Sequence, residues 1–186
     1  MILLLLAFAG CAYVPENIEV AYQPQTLLQP ISMIPLNVDV QVVDNRRDGK
    51  MVSCKKGEHG VELASIKLKG DLAGEIALAV KAELRNLGFR TAPGHKTVEI
   101  EIEKFYNDFK EGFWSGRGVA ELILGVNVKK DDGDYVYSKT IMGFGENSGV
   151  WVHSGGNAKK ALEEALSDAI HKLINDRAFI NALRKH

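Results

Sequence analysis

Charge is almost perfectly balanced in this 186-residue chain, with 23 basic and 24 acidic side chains and a formal net charge of −1 at pH 7. So little field excludes an electrostatic case for nucleic acid as a partner. Cysteine is scarce: Cys11 and Cys54 are the only two, too few for the disulfide framework of a small secreted domain. The main apolar run, residues 2–8, falls far short of the roughly 20 residues a membrane-spanning helix needs. His59, His95, His153, His171 and His186 are dispersed, and none stands at metal-ligand spacing from a cysteine or another histidine. There is no G-x-S-x-G elbow, HExxH pair or paired-cysteine motif to give a nucleophile its base or a metal its ligands. The chain is therefore expected not to be an enzyme, and no cofactor or metal is expected.

What the sequence does contain begins at its N-terminus. Residues 1–12 read MILLLLAFAGCA, an apolar stretch leading into small residues in the order of a secretory signal. Here the small residues end in a cysteine. The arrangement resembles a bacterial lipobox, in which diacylglycerol is attached to the cysteine thiol and a signal peptidase cuts just before it. Ala9, Gly10 and Cys11 match that pattern, while Phe8 stands where Leu is usual. Residues 1–10 are thus expected as a signal peptide and Cys11 as the lipidated first residue of the mature chain. Cys54 would then have no partner for a disulfide within that chain.

Proline is similarly uneven. Four of the five prolines, Pro15, Pro24, Pro30 and Pro35, fall before residue 36, among Gln23, Gln25 and Gln29. Such composition disfavours a regular helix or central strand. Residues 11–36 are expected as a lipid-anchored tether, part of it laid over the domain by Ile31, Met33, Ile34 and Leu36. Residues 37–186 are expected to form one domain, a length suited to a single core.

Within that domain Val38, Val40 and Val42 alternate with polar residues, the period-two pattern of a strand with one buried face. Residues 50–60 look like a loop, and Val61, Leu63, Ile66 and Leu68 suggest a short returning strand. Asp71 stands at an N-cap position, and Leu72, Ile76, Ala79, Val80, Leu84 and Leu87 recur at helical spacing up to Gly88. That helix is expected to expose Glu75, Lys81, Glu83 and Arg85. Val98, Ile100 and Ile102 then alternate with Glu99, Glu101 and Glu103, which the solvent face of a one-sided sheet explains without a cation. Phe105, Tyr106, Phe109, Phe113 and Trp114 follow, mixed with Lys104, Lys110 and Arg117. This aromatic cluster looks like a strand end and loop, and it is the candidate surface for a protein partner.

Residues 120–129 and 135–144 form two alternating runs joined through Asp131, Asp132 and Gly133, a strong hairpin signal. Gly143 and Gly145 suggest a bulge or bend. The segment GFGENSG that contains them lacks the Gly-Lys-Ser/Thr ending of a phosphate loop. After Gly155 and Gly156, Asn157 is a plausible N-cap, and a narrow stripe of Ala161, Leu162, Ala165, Leu166, Ala169, Ile170, Leu173 and Ile174 marks a long helix. Phe179, Ile180 and Leu183 mark a final helical turn. The element order predicts an α+β two-layer sandwich, a mainly antiparallel sheet with two long helices on one face.

Taken together, the lipobox, the Pro/Gln stretch, VDVQVVDNR, DLAGEIALAVKAELRNLGF and the closing INDRAFINALRK resemble the YajG family of bacterial lipoproteins. The resemblance implies a Gram-negative envelope lipoprotein facing the periplasm. Ala12 after the cysteine, in place of an Asp that would retain it at the inner membrane, fits sorting to the outer membrane. Three functions are then open. The first is a lipid-anchored binding or scaffold module whose partners are the membrane and an envelope protein. The second is a periplasmic small-ligand carrier, with a pocket lined by Tyr135, Tyr137 or Trp151. The third is a hydrolase assembled from scattered residues.

Overall fold

The long strands that dominate this molecule come from the C-terminal half of the chain. A computed structural model describes residues 14–24, 36–112 and 115–184. Among them lie β1 (Glu16–Ile18), β2 (Val38–Asp44), β3 (Met51–Lys56), β4 (Glu62–Leu68), α1 (Leu72–Asn86), β5 (Lys96–Lys110), β6 (Gly116–Lys130), β7 (Tyr135–Val150), α2 (Gly155–Ile174) and α3 (Arg177–Arg184). The strands make one seven-stranded sheet of order β1-β4-β3-β5-β6-β7, with β2 also paired to β5. Hairpins join β5 to β6 and β6 to β7 in antiparallel register. On its other side β5 carries two short strands: β2 runs parallel to it from Lys96 to Ile102, and β3 meets it at Ser53 and Asn107. The fold is α+β, and the sheet is mostly antiparallel, with parallel pairs at β1–β4, β2–β5 and β3–β5. Helix α1 packs on β2 and against α2, and α2 lies on β6 and β7.

A single bulge explains the aromatic segment. The β5–β6 register slips between Ile102 and Lys104, so an extra residue resets which side chains face the helices. Val98, Ile100 and Ile102 point inward before it, and Phe105, Asn107 and Phe109 after it, all of them buried. Phe105 and Phe109, at 1% and 2% exposure, belong to the core and cannot form a partner surface. Tyr106 is half-buried on the opposite face. Phe113 and Trp114 lie outside the described residues.

Residues 51–56 form a strand where a loop was expected. Val52, Ser53, Cys54 and Lys55 are all buried, so the alternation that marks a half-exposed strand is missing. Their polar groups are satisfied by partners distant in sequence. Ser53 Oγ accepts from Asn107 Nδ2 at 2.9 Å, and Lys55 pairs with Glu16 at 2.5 Å.

Gly143 and Gly145 do not mark a bulge, since β7 stays in register with β6 through both. They let α2 approach. A Cβ at Gly143 would lie 2.1 Å from the Ala165 carbonyl oxygen, and one at Gly145 would lie 2.1 Å from that of Ala161. Ala161, Ala165 and Ala169 are the small residues that meet them, so the narrow alanine stripe and the glycine pair are two halves of one contact. Along the same rim, Phe144 N donates to Asp168 at 2.8 Å and Glu146 N to Glu164 at 2.9 Å. Lys172 Nζ donates to the Met142 carbonyl at 2.9 Å.

The helix ends refine the sequence reading. At the C-terminus of α1, Gly88 takes φ 93°; its N–H donates to the Arg85 carbonyl, and Phe89 N–H to that of Leu84. These are the two bonds of a Schellman motif. Asp71 stands at the N-cap, but its side chain makes no capping bond. Ser154, rather than Asn157, caps α2 by accepting from Asn157 N at 3.3 Å.

Candidate functional site

Of the stretch expected as a tether, residues 16–22 are held to the domain, while residues 11–13 and 25–35, with Ile31, Met33 and Ile34, lie outside the described residues. Glu16 to Ile18 pair in parallel with Ile66 to Leu68 of β4, and Ile18 is buried. The Glu16 carboxylate serves two donors at once. One oxygen pairs with Lys55 Nζ, and the other accepts from Gly155 N at 2.7 Å, at the start of α2. A carboxylate is favoured there by the helix dipole, and it gives the buried lysine the counter-charge burial demands. Further on, Ala21 N donates to Glu163 at 3.0 Å and Tyr22 N to Glu75 at 2.8 Å. Tyr22 OH donates to Glu83 at 2.8 Å, and Glu83 is only 4% exposed. Glu83 therefore does not belong to the solvent face of α1; the N-terminal arm covers it. Cys11 itself lies outside the described residues.

The end of the sheet where the arm arrives also gathers the close of β3, the start of β6 and the β7–α2 junction. Gly116 pairs with Val150, and Trp151 and Val152 follow, 81% and 62% exposed. Next in line, His153 stacks on Phe109, with centroids 4.4 Å apart and an interplanar angle of 14°. Its Nδ1 lies 3.2 Å from the Lys56 amide nitrogen and 2.9 Å from the Lys56 carbonyl oxygen. Asn157 Nδ2 donates to the Val152 carbonyl at 2.9 Å, so the junction is pinned on both sides. Lys56 and Lys110 both pair with Asp108. Burial works to raise the Asp108 carboxyl, but the bonds and charges of the two lysines outweigh it and hold the group below the usual carboxylate range. Arg117 pairs with Glu146. The basic side chains at this end are therefore paired with carboxylates, and exposed apolar side chains stand beside them.

The opposite end of the sheet holds a cavity of about 390 Å³ beside the β6–β7 hairpin, with Leu36, Lys96, Lys130, Leu183 and Arg184 among its walls. Lys96 is buried, and its Nζ donates to the Ala182 carbonyl of α3 at 2.8 Å. Burial first, and the charge of Lys130 second, push its pKa below the ordinary lysine value. The tyrosines expected around a pocket are elsewhere. Tyr137 is buried with its OH donating to Asp176 at 3.1 Å, Tyr135 OH donates to Glu99 at 3.1 Å, and Trp151 stands at the far end. Among the described residues no group of three or more His, Cys, Asp or Glu side chains could hold a metal ion, and no helix is long and apolar enough to cross a membrane.

The described residues thus form an α+β domain with an N-terminal arm bonded across its helices. Residues 28–184 match the family described as Uncharacterized lipoprotein, Lipoprotein_16. The chain belongs to that family, and membership points to a membrane-anchored protein of the bacterial envelope. No curated protein matches the chain by sequence. Among solved structures it is similar to a protein of family DUF330 from Xanthomonas campestris, with a TM-score of 0.63 at 13% identity, covering 89% of this chain and 96% of that one. A minor lipoprotein from Acinetobacter baumannii is similar at TM-score 0.50 and 6% identity, covering 81% of this chain and 96% of that one. At these identities the likeness is one of fold.

Proposed function

We propose that the protein is an outer-membrane lipoprotein, anchored by a diacylglyceryl thioether on Cys11, whose domain faces the periplasm as a binding or scaffold module without catalytic activity. We place it within the YajG lineage and read the packing of α1 and α2 on one sheet as a two-layer sandwich. The observation that carries the proposal is the lipoprotein family match over residues 28–184 joined to the Ala9-Gly10-Cys11 sequence. Bonding of the arm at Glu16 supports it, because a domain gripped this close to its anchor suits display at a surface. The test is metabolic labelling with a fatty acid, followed by membrane fractionation of the native protein and its Cys11→Ala variant. Label and outer-membrane association should both vanish in the variant. A native protein that is unlabelled and soluble sinks the reading.

A second reading, a small-ligand carrier, is favoured by the cavity beside Lys96 and Lys130. Native mass spectrometry of protein released from envelopes should then show a co-purified small molecule. It should be lost on Lys130→Glu substitution.

A further inference from the structure

Five large apolar side chains are exposed at the end of the sheet where the arm arrives: Val14 at 54%, Val61 at 58%, Leu63 at 38%, Trp151 at 81% and Val152 at 62%. They come from three separate stretches of chain. Scattered singly such residues need no explanation, but a group on one end of a domain marks a contact surface. The length of chain before it tells what the contact is. Val14 is three residues from Cys11, so the two Cα atoms are within about 11 Å of each other even if the chain is fully extended. The headgroup region of a leaflet is itself about 5–8 Å deep. Two residues beyond Val14, Glu16 is fixed to Lys55 and to the first amide of α2, and Trp151 lies just ahead of the Ser154 cap of that helix. A lipidated Cys11 therefore leaves the domain no room to stand off from the bilayer, and the end it turns toward the lipid is the one carrying Trp151.

The chemistry of that end fits a lipid interface. Tryptophan is enriched at headgroup level, where an apolar ring with one N–H donor is at home. The nearby basic side chains are paired, Lys56 and Lys110 with Asp108 and Arg117 with Glu146, and Glu62 and Glu111 are exposed beside them, so the contact does not depend on anionic lipid. Pinning of the junction by His153 and Asn157 presents the ring in a fixed place. We propose that this end of the domain seats on the lipid surface, with Trp151 and Val152 entering the headgroup layer beside the anchor. The acyl chains supply the affinity, and the apolar end sets the orientation. The inference rests on lipidation of Cys11.

The test uses the full lipidated protein, labelled through its fatty acid, in vesicles of phosphatidylethanolamine and phosphatidylglycerol with or without brominated acyl chains. The chain has two tryptophans, so the native protein is compared with Trp151→Phe, and with Trp114→Phe, which leaves Trp151 as the reporter. The Trp114→Phe protein should lose most of its emission in brominated vesicles, and raising the salt should change this little. The native protein should show a quenched component that Trp151→Phe removes. If label is incorporated but Trp151 emission is the same in both vesicles, the inference is overturned while the anchor stands, and this end is left to a protein partner. If no label is incorporated, the anchor reading fails and the inference falls with it.

Discussion

Replacing Gly143 by alanine tests the closest packing in the fold. The added methyl would sit 2.1 Å from the Ala165 carbonyl oxygen, 2.6 Å from the Ala169 Cβ and 2.7 Å from the Ala169 amide. These are backbone atoms or a methyl with no rotamer to change, so the contact is relieved only if α2 lifts from β7 by an ångström or more. Overpacking of this kind costs about 1–3 kcal/mol and sometimes more. Lifting also stretches the bonds from Phe144 N to Asp168 and from Glu146 N to Glu164, which places Gly143→Ala near about 3 kcal/mol, the top of that range. For a domain of this size that is a loss of roughly 6–12 °C in Tm. Gly156→Ala is the control. It stands in the same helix with nothing within 4 Å of the added Cβ, and should stabilise by about 0.5 kcal/mol through the unfolded chain. Urea unfolding followed by circular dichroism at constant m-value reads both. If Gly143→Ala unfolds at the native midpoint, the close approach of α2 is not what the glycine serves, and the reasoning is refuted.

Glu16→Ala removes the counter-charge of buried Lys55 and an acceptor for Gly155 N; a loss of about 1–3 kcal/mol is expected, checked by urea titration, and an unchanged midpoint would show that the arm is not needed for stability. Asp176 is held below the usual carboxylate range, first by the bond from Lys139 and further by Ala178 N and Tyr137. A carboxyl lowered on folding contributes stability above its unfolded pKa and loses it as pH falls through the folded value. Stability should therefore decline below pH about 4, and Asp176→Asn should flatten that decline in a pH series of thermal melts. Cys54 is 4% exposed, and burial followed by the charge of Glu62 raises its pKa, so the native chain should resist thiol reagents. On unfolding, one thiol per lipidated chain should react, and two in a chain with Cys11 unmodified.

What the sequence made readable was whatever depends on local periodicity. Helix α1, the β6–β7 hairpin at Gly133 and the apolar stripe of α2 each carry their signal within a dozen or so neighbouring residues. The failures share a different cause, which is dependence on partners distant in sequence. Strand β3 is hidden by Glu16 and Asn107, so its buried Ser53 and Lys55 read as loop. The bulge after Ile102 moves Phe105 and Phe109 inward, and the adjacent polar residues Glu103 and Lys104 were the available sign that the phase had changed. Glu83 looked like a solvent residue because its partner, Tyr22, comes from a segment whose prolines suggested a free linker. Gly143 and Gly145 stand two apart on one strand face, and Ala161, Ala165 and Ala169 stand four apart on one helix face. Read together, the two spacings carry the signal of their contact; read alone, the glycines suggested a bulge or bend. Trp151 had no such pattern around it, and its prominence is evident only once the strands place it at the end where the chain begins.

The bonds along the rim of β7 have a consequence for life at a membrane. A bare edge strand is a template on which another chain can add, and proteins confined to a surface meet one another at raised local concentration. Asp168, Glu164 and Lys172 occupy the outward amides of Phe144 and Glu146 and the carbonyl of Met142. Over that stretch the sheet has already spent its capacity for growth on its own helix. Copies crowded side by side would thus remain separate molecules there, and would not zip into a fibre.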